Sequence, residues 1–298
     1  MLTEHGVVEL RKRLQRWREL HQRIAFIPTM GNLHAGHIAL VKRARELAQR
    51  VVVSIFVNPL QFGPDEDYTS YPRTLDADKL QLAVAGADMA FVPDLATMYP
   101  QGPEQTTRVS VPEISTILDG EYRPGHFDGV ATAVCKLFHM VQPDIALFGE
   151  KDYQQLMVVR RLVRDLCLPV EITGVPTVRE PNRLAMSSRN QYLTRAELGT
   201  APLLYHTLLE TADAIRDGTG DLPTLEREAS RRLSEAGFRP DYVAIREAGS
   251  LALPAEDAQR FVVLGAAWLG KARLIDNVQV DIQQDDRTVN LRGYRPTG

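Results

Sequence analysis

Short apolar runs alternate with segments of helical periodicity over residues 1–176, and this alternation constrains the fold more than any other feature. The runs are typical of buried strands. They are Ile24–Ile27, Val51–Val57, Met89–Val92, Ile145–Phe148 and Val170–Val175. Apolar residues at helical spacing lie between several of them, at Ile38–Gln49, Leu75–Ala85 and Tyr153–Leu166, and also in the first twenty residues. The alternation predicts an α/β fold with a parallel sheet and crossover helices.

The pattern changes from about Pro176 onward. Thr194 and Glu197 match a capping box, which predicts a long helix through about Ile215. A second helix is indicated at Leu225–Ala236, followed by short β-like runs at Tyr242–Ile245, Phe261–Leu264 and Ala272–Val278. We therefore expect two domains, residues 1–176 and a smaller α+β domain at 177–298. Polar residues at 283–287 and the glycines and proline near the end predict a weakly ordered tail.

The composition is that of a soluble globular protein, with 44% hydrophobic residues, 24% charged residues and a net charge of −3. This mildly acidic balance argues against nucleic acid as a partner. No apolar stretch is long enough to span a bilayer, and no secretory signal is apparent, so we expect no membrane association. Cys135 and Cys167 lie in apolar segments without metal-ligand spacing, which predicts buried free thiols in a reducing cytoplasm.

Ligands of open parallel sheets gather outside the carboxyl ends of the strands. Three polar segments are predicted at that edge: Met30–His37, Asn58–Gly63 and Gly149–Asp152. The first combines a glycine turn with the start of a helix, where free N–H groups attract anions. His34 and His37 are spaced to share a helix face. They could bind phosphate, form part of a zinc site, or be ordinary polar side chains, although no third metal ligand stands near them in sequence.

The string Pro28–His37, PTMGNLHAGH, contains H-x-G-H and resembles the HIGH signature of a nucleotidyltransferase superfamily that includes class I aminoacyl-tRNA synthetases. The whole string is similar to that of the pantoate–β-alanine ligase family, the pantothenate synthetases. Further matching strings are FVNPLQFGPDEDYTSYPRT from Phe56, RPGHFDGVAT from Arg123, LFGEKDYQQL from Leu147, PTVREPNRLAMSSRN from Pro176 and ARLIDN from Ala272. Together they extend over nearly the whole chain except its end.

The resemblance implies a Rossmann-like ATP- and pantoate-binding domain followed by a smaller lid domain. It implies an enzyme that condenses (R)-pantoate with β-alanine, the last step of pantothenate biosynthesis. ATP is the cosubstrate and is cleaved to AMP and pyrophosphate by way of an enzyme-bound pantoyl adenylate. Family members are commonly homodimers. Neither chemical step requires a covalent protein nucleophile, so catalysis depends on positioning and on stabilising charge at the phosphates.

By the same resemblance, the catalytic residues are His34, His37, Lys151 and Arg189. ATP binding falls to Met30, Gly31, Asn32, Leu33, His34, Ala35, Gly36, His37, Gly149, Glu150, Lys151, Asp152, Val178, Met186, Ser187, Ser188 and Arg189. Taken without the resemblance, Lys151 could be a solvated loop lysine, and Met186–Asn190 could be a polar turn before a helix. With it, that segment takes the part of the synthetase KMSKS loop, with serines and an arginine contacting phosphates.

Pantoate is expected to bind the amides of Gln61 and Gln155, and β-alanine to meet Gln61. Val130, Val134 and Phe62 would cover the branched methyl groups of pantoate, because such an acid needs an apolar wall. The alternative for each glutamine is a structural hydrogen-bond network. Further matches that line or support this pocket are Asn58, Tyr71, Arg123 and His126.

Mg²⁺ is implied by the triphosphate, with Asp78 and Gln81 at the positions where the family places its ligands. Asp76 and Asp78 could equally be acids that the helix dipole favours. The chain also departs from the family pattern, because Asn182 and Arg183 stand where an acidic residue and a glycine are usual. The geometry or opening rate of the lid is therefore expected to differ.

Three other functions share part of this pattern. A small-molecule adenylyl- or cytidylyltransferase shares the HIGH turn but does not need an apolar acid pocket. A non-catalytic nucleotide sensor would be expected to lose Lys151 or Arg189, and both are present. A tRNA-binding synthetase fragment would be expected to carry a basic appended domain.

Overall fold

Six strands form one parallel sheet in the computed structural model, which describes residues 1–64, 66 and 68–282. The strands are β1 (Leu2–Glu4), β2 (Ile24–Thr29), β3 (Arg50–Ile55), β4 (Met89–Phe91), β5 (Ile145–Gly149) and β6 (Glu171–Val175). Their order across the sheet is β1-β4-β3-β2-β5-β6. The predicted α/β fold is confirmed, and every predicted strand of this part is present. β1 was not predicted, because three residues are too few to show a period.

The helices that accompany the sheet are α1 (Val7–Glu19), α2 (Ala35–Leu47), α3 (Leu75–Ala85), α4 (Leu95–Met98), α5 (Asp119–Tyr122), α6 (His126–Val141) and α7 (Tyr153–Asp165). Single 3₁₀ turns occupy Pro59–Gln61 and Glu150–Asp152. α1 buries Leu10, Leu14 and Trp17 on one face, as its amphipathic pattern predicts. α2, α3 and α7 lie within a few residues of their predicted positions.

α6 was missed from the sequence, although it is the longest helix described in this part of the chain. Eleven of its sixteen residues are buried, from Phe127 to Val141. The helix contains Gly129 and begins after a glycine in the left-handed region, Gly125, which favoured a loop in the sequence.

The order of the strands places the carboxyl ends of β2, β3 and β5 side by side at one edge of the sheet. β2 lies in the middle, with β3 on one side and β5 on the other, so the chain order reverses between β2 and β5. Ligands bind at such a switch point, outside the carboxyl ends of the strands. The segments that follow β2, β3 and β5 are those predicted to carry the site. On one face of the sheet, Ala25, Ile27 and Val53 pack with α2 residues in a buried cluster.

The C-terminal part forms an antiparallel sheet in the order β7-β8-β9. The strands are β7 (Arg239–Glu247), β8 (Arg260–Leu269) and β9 (Ala272–Asp281), and the helices are α8 (Arg195–Thr200), α9 (Leu203–Arg216) and α10 (Leu222–Glu235). The predicted capping box of Thr194 and Glu197 is present. The prediction of one continuous helix through Ile215 is wrong, because Pro202 cannot donate the next helical hydrogen bond and the chain divides into α8 and α9 there.

The chain divides into two compact units. The N-terminal unit comprises Met1–Glu150 and Gln154–Val178, and the C-terminal unit comprises Lys151–Tyr153 and the described residues from Arg179 on. The weakly ordered tail predicted at 283–298 lies outside the described residues. No helix formed by the described residues is long and apolar enough to cross a membrane. Cys135 is buried as predicted, but Cys167 is exposed, because it lies in the left-handed region just after α7 rather than inside an element.

Candidate functional site

The turn after β2 passes through two residues in the left-handed region, Gly31 at φ +81° and Asn32 at φ +50°. Glycine adopts this conformation without steric cost, and asparagine tolerates it better than most residues. The Gly31 N–H donates to Thr29 Oγ1 at 3.2 Å. A Cβ at Gly31 would also lie 3.0 Å from Asp78 Oδ2 and from a methyl carbon of Ile55. The glycine–asparagine pair is therefore required by both the backbone conformation and the close packing of this turn.

Asp78, in the first turn of α3, holds the glycine turn by accepting hydrogen bonds from the backbone of that turn. Its side chain is buried, at 1% exposure. Oδ2 accepts the N–H of Asn32 at 3.0 Å, and Oδ1 accepts the N–H of Leu33 at 2.8 Å and the hydroxyl of Thr74 at 3.1 Å. Gln81 Nε2 lies 3.5 Å from the Leu33 carbonyl oxygen. Both residues considered as Mg²⁺ ligands therefore contact the backbone of the turn.

His34 and His37 cap the start of α2, which begins at Ala35. His34 Nδ1 accepts the N–H of Gly36 at 3.1 Å, and His37 Nδ1 accepts the N–H of His34 at 3.3 Å. A ring nitrogen that accepts a hydrogen bond carries no proton, so both neutral rings carry their proton on Nε2. The two ring centroids are 4.2 Å apart. The pair thus presents two Nε2–H donors beside the N-terminus of a 13-residue helix.

The glycine of H-x-G-H has a specific steric reason. A Cβ at Gly36 would lie 2.8 Å from His34 Cε1 and 2.9 Å from His34 Nδ1. Any side chain there would displace the His34 ring from its capping position. Among the described residues, no group of three His, Cys, Asp or Glu side chains is arranged to hold a metal ion, so the zinc interpretation gains no third ligand. The interpretation as polar helix-start residues describes their local role correctly.

The side chain of Asn58, which is 1% exposed, stabilises the 3₁₀ turn that carries Gln61. Asn58 Oδ1 accepts the N–H of Leu60 at 3.2 Å and the hydroxyl of Tyr99 at 2.7 Å, while its Nδ2 donates to the Gly129 carbonyl at 3.0 Å. A Cβ at Gly129 would lie 2.0 Å from the Leu60 carbonyl oxygen. Only glycine therefore allows α6 to pack against this turn.

Arg123 and His126 hold the same turn from the start of α6. The Gln61 carbonyl oxygen accepts from His126 Nδ1 at 2.7 Å and from Arg123 Nη2 at 3.2 Å. Arg123 also donates from Nε and Nη2 to the two Glu66 oxygens at 2.7 and 2.6 Å, and from Nη1 to His126 Nε2 at 3.0 Å. Since a carbonyl only accepts and a guanidinium only donates, His126 is neutral and protonated on Nδ1. Burial, assisted by the Arg123 charge, lowers the pKa of His126 to about 4.

Gln154 and Gln155 are adjacent on α7 and have different surroundings. Gln154 is 2% exposed, accepts the N–H of Asp119, and donates to the carbonyls of Ile114 and Ile117. Gln155 is half-buried, and its amide forms no hydrogen bond with another described residue. A structural hydrogen-bond network, the alternative considered for Gln61 and Gln155, is therefore present at the neighbouring Gln154 and not at Gln155. The half-buried Gln61 side chain likewise has no hydrogen-bond partner among the described residues.

The apolar residues predicted around pantoate lie on α6 and on the loop after β3. Val130 and Val134 are one helical turn apart and are 1% and 5% exposed. Phe62 is half-buried, and its ring centroid lies 5.3 Å from that of Tyr68 and 5.7 Å from that of Tyr71. The two valines follow Gly129, the residue that packs against the Gln61 turn. The structure thus connects this apolar face of α6 to the turn that carries Gln61.

The remaining predicted residues divide between the units. Gly149, Glu150 and Val178 belong to the N-terminal unit, whereas Lys151, Asp152, Met186, Ser187, Ser188 and Arg189 belong to the C-terminal unit. Gly149 ends β5, and Val178 is half-buried at the end of its unit. A Cβ at Gly174 on neighbouring β6 would lie 2.9 Å from Glu150 Oε1.

Lys151 and Ser187 line the same small pocket of the C-terminal unit, together with Asn190 and Asp276. The Lys151 side chain is 18% exposed, and its Nζ lies 3.5 Å from Asp152 Oδ1. It is therefore not the solvated loop lysine of the alternative interpretation. The structure thus places it in the same pocket as Ser187.

Met186–Asn190 forms a polar turn with its own internal hydrogen bonds. Ser187 caps the 3₁₀ turn Ser188–Tyr192, and its Oγ accepts the N–H of Arg189 at 3.2 Å. Asn190 Nδ2 donates to the Ala185 carbonyl at 3.0 Å. Ser187, Ser188 and Arg189 are all half-buried. The segment is thus an ordered turn whose polar side chains remain partly accessible.

Several supporting residues were not singled out from the sequence. Glu66 orders Arg123, Gln154 orders the 114–119 loop, and Asp276 pairs with Arg179. Their partners are far away along the chain, so spacing gives no signal for them. Each of the three lies in a string that matches the family, but the strings do not show which of their residues support the site.

Comparisons with known proteins agree in one family. The family model described as pantoate-beta-alanine ligase matches residues 3–279. The chain is 56% identical to a pantothenate synthetase of Azotobacter vinelandii, over 95% of this chain and 100% of the relative. A crystal structure of pantothenate synthetase from Thermus thermophilus has a TM-score of 0.86 and 48% identity, covering 93% of this chain and 99% of that one.

A second solved structure extends the comparison to ligands. It is a pantoate-beta-alanine ligase from Francisella tularensis, complexed with beta-gamma ATP and β-alanine. Its TM-score is 0.77 and its identity 34%, and the match covers 93% of this chain and 97% of that one.

Proposed function

The chain belongs to the pantoate–β-alanine ligase family, and we propose that it joins (R)-pantoate to β-alanine through an enzyme-bound pantoyl adenylate. In the first step a carboxylate oxygen of pantoate attacks the α-phosphorus of ATP, and pyrophosphate leaves. In the second step the amine of β-alanine attacks the acyl carbon, loses a proton and expels AMP. The product is the amide pantothenate, which completes the biosynthesis of that compound.

One observation carries the proposal on the structural side. The turn after β2, at the switch point of a parallel sheet, places two imidazole rings with Nε2–H donors at the N-terminus of α2. Such donors suit the oxygens of a triphosphate and the negative charge that develops at the α-phosphate. In this proposal His34 and His37 bind those oxygens, while the turn from Met30 to Gly36 lines the nucleotide site.

In this proposal ATP phosphates also receive positive charge and hydroxyl donors from the C-terminal unit, namely from Lys151, Ser187, Ser188 and Arg189. The pocket that Lys151 shares with Ser187 supports this assignment. A lysine acts as a point charge on phosphate, whereas an arginine can donate two parallel hydrogen bonds to the leaving pyrophosphate. Asp152 and Gly149 are assigned to the ribose, and Val178 to the adenine.

Gln61 and Gln155 are proposed to bind pantoate, because their amides can both donate and accept. The firm support of the Gln61 backbone by Asn58, Arg123 and His126 favours a side chain that must be placed accurately. Val130, Val134 and Phe62 provide the apolar wall for the branched methyl groups. Gln61 also meets β-alanine, so that the amine can approach the acyl carbon.

Mg²⁺ is proposed to arrive as part of the ATP substrate. Asp78 does not fit a direct ligand, because it is buried and both of its oxygens already accept hydrogen bonds from the glycine turn or from Thr74. Mg²⁺ commonly keeps several waters and binds substrate phosphates, so no protein cage is required. No step of the reaction depends on Asp78 or Gln81 as a metal ligand.

A homodimer in the cytoplasm is also proposed, following the family resemblance. Sedimentation equilibrium of the full chain would measure the assembly state. A mass of one chain at micromolar concentration would contradict the dimer without affecting the proposed reaction.

The reaction is tested by incubating the protein with ATP and Mg²⁺ and with pantoate alone, β-alanine alone, or both. We expect the amide, AMP and pyrophosphate only when both acids are present. Transfer of a whole nucleotide to a phosphorylated acceptor would support the adenylyl- or cytidylyltransferase alternative. Release of ADP and phosphate instead of AMP would contradict the adenylate.

A further inference from the structure

Two adjacent polar residues on β9, Asp276 and Asn277, are buried but have no role in the reaction as described. They are 4% and 8% exposed. Burying a carboxylate is unfavourable unless a cation and hydrogen bonds compensate for it. Their partners show where that compensation is made.

Asp276 forms a bidentate ion pair with Arg179. Arg179 Nη1 lies 2.7 Å from Asp276 Oδ2, and Nη2 lies 2.9 Å from Oδ1. The guanidinium carbon also lies 3.6 Å from the centroid of the Tyr205 ring, and Nη1 donates to the Arg183 carbonyl at 3.1 Å. The Asn277 N–H donates to Asp276 Oδ1 at 2.8 Å. Paired donors of this kind fix the orientation of the arginine as well as its position.

Arg179 begins a tight hairpin that leads directly into the Ser-Ser-Arg segment, residues 187–189. Arg179 forms an antiparallel bridge with Ala185, and the Glu180 N–H donates to the Leu184 carbonyl at 2.8 Å. Asn190 then donates back to the Ala185 carbonyl. The ion pair to Asp276 therefore anchors the hairpin from which this segment starts.

Asn277 holds the other phosphate-binding group of the same unit. Its Nδ2 donates to the Lys151 carbonyl oxygen at 3.0 Å. Asp276 lines the pocket that contains both Lys151 and Ser187. Two consecutive residues of one strand thus contact the backbone of Lys151 and the hairpin before Ser187.

We propose that Asp276 and Asn277 are positioning residues, which set the placement of Lys151 relative to the Ser-Ser-Arg segment for phosphate binding. This rests on the proposed function of those groups. Neither residue touches the substrate in this scheme. Their effect is on the first step, because misplacing a phosphate-binding group by about 1 Å can cost roughly 10²-fold in rate.

The test compares Asp276→Asn and Asn277→Asp with the matched control Asp241→Asn. Asp241 pairs with Arg273 Nε at 2.7 Å in the same sheet, and the two side chains are similarly buried, at 13% and 12% exposure. The control removes another ion pair of the same unit, one that joins β7 and β9. Pantoate-dependent pyrophosphate–ATP exchange measures the first step, and thermal unfolding measures folding.

We expect kcat for exchange to fall by about 10²-fold in Asp276→Asn and Asn277→Asp, with the KM for pantoate nearly unchanged, and to stay within about 2-fold of wild type in Asp241→Asn. Equal losses in kcat for Asp276→Asn and Asp241→Asn would show a merely structural role and overturn the proposal. If Asp276→Asn does not fold, Arg179→Lys is the second variant, because it retains the positive charge but loses the bidentate contact with Asp276. An unchanged kcat in Arg179→Lys would also overturn the proposal.

A second readout does not depend on ligase activity. Competitive labelling of lysines by an acylating reagent, followed by mass spectrometry, reports the accessibility of Lys151 in each variant. Labelling of Lys151 should rise several-fold in Asn277→Asp but not in Asp241→Asn, and an unchanged rate in Asn277→Asp would contradict the positioning role. An absence of ligase activity in the wild type would contradict the proposed function, and the labelling result would still test the placement of Lys151.

Discussion

The glycine turn of the N-terminal unit and the Ser-Ser-Arg segment of the C-terminal unit are both proposed to bind ATP, but the two segments are supported differently. The glycine turn is held by backbone N–H groups donating to Asp78, and its histidines act as neutral capping groups. The Ser-Ser-Arg segment follows a hairpin anchored by an ion pair, Arg179 with Asp276. One support depends on a single buried carboxylate, and the other on a charged pair between distant residues.

This difference in support matches a difference in the roles proposed for the two segments. In the proposed function, the histidine N–H donors of the glycine turn are assigned to holding the nucleotide, and Lys151 and Arg189 are assigned to supplying positive charge. The Asp78 carboxylate that supports the glycine turn accepts three hydrogen bonds. Small changes to this side chain should therefore lower the free energy of unfolding. The hairpin before the Ser-Ser-Arg segment includes a residue in an unfavourable conformation, Arg183 at φ +76°. A substitution that relieves this strain should therefore raise the free energy of unfolding.

The largest effect is expected from Asp78→Asn, which should break the support of the glycine turn. An amide cannot accept from both N–H groups, so one buried donor loses its partner and about 3 kcal/mol of unfolding free energy is lost. Pyrophosphate–ATP exchange should fall by about 10²-fold, because the turn shifts. Asp76→Asn, at an exposed position of the same helix turn, is the control and should change stability by less than about 0.5 kcal/mol. Rescue of Asp78→Asn by high Mg²⁺ would show instead that Asp78 is a metal ligand.

Two neighbouring glutamines of the N-terminal unit are assigned different roles, a structural one for Gln154 and pantoate binding for Gln155. Gln154→Ala removes three hydrogen bonds to buried backbone groups and should cost roughly 3 kcal/mol in urea unfolding. Gln155→Ala should leave stability within about 0.5 kcal/mol and raise the KM for pantoate at least 10-fold, since its amide is assigned to the substrate. An unchanged pantoate dependence in Gln155→Ala would remove that residue from the pantoate site.

The neutral His126 predicts a pH dependence of stability. Its pKa is lowered to about 4 in the folded protein, against an ordinary value of 6.5. As the pH falls from 6.5 towards 4, the unfolded chain binds a proton on His126 that the folded chain does not. The free energy of unfolding should therefore fall over this range, by no more than about 3 kcal/mol from this group.

The control for this pH effect is His126→Asn, because the Asn Nδ2 can still donate to the Gln61 carbonyl without titrating. Urea unfolding of both proteins between pH 7 and 4.5 should show a shallower loss of stability in the variant. Parallel curves for the two proteins would contradict the neutral assignment of His126.

The smallest effect is expected in the hairpin of the C-terminal unit. Arg183→Gly should relieve the left-handed conformation and raise the free energy of unfolding by up to about 1 kcal/mol, since part of the gain is offset by the entropy of glycine in the unfolded chain. Arg183→Ala retains a Cβ and should give no such gain. Equal stabilities of the two variants would show that this conformation is not a source of strain.

Local patterns in the sequence predict every strand except β1, the helices α1, α2, α3 and α7 of the N-terminal unit, and the capping box at Thr194, because each depends on residues a few positions apart. The family and its reaction came from motif resemblance. The support of the site could not be predicted in this way. Asp78 acts on residues 45 and 46 positions away, and Arg179 and Asp276 are 97 positions apart. Nothing in the sequence distinguishes Gln154 from Gln155, because their difference arises from which side of α7 faces the 114–119 loop.

The central claim is that pantoate is activated as its acyl adenylate, and isotope transfer tests it most directly. Pantoate labelled with ¹⁸O in both carboxylate oxygens is converted with ATP and β-alanine, and the AMP is analysed by mass spectrometry. Because the attacking carboxylate oxygen stays on the α-phosphorus when the amine displaces AMP, the account predicts AMP carrying one labelled oxygen. Unlabelled AMP, formed at the same rate as the amide, would contradict it.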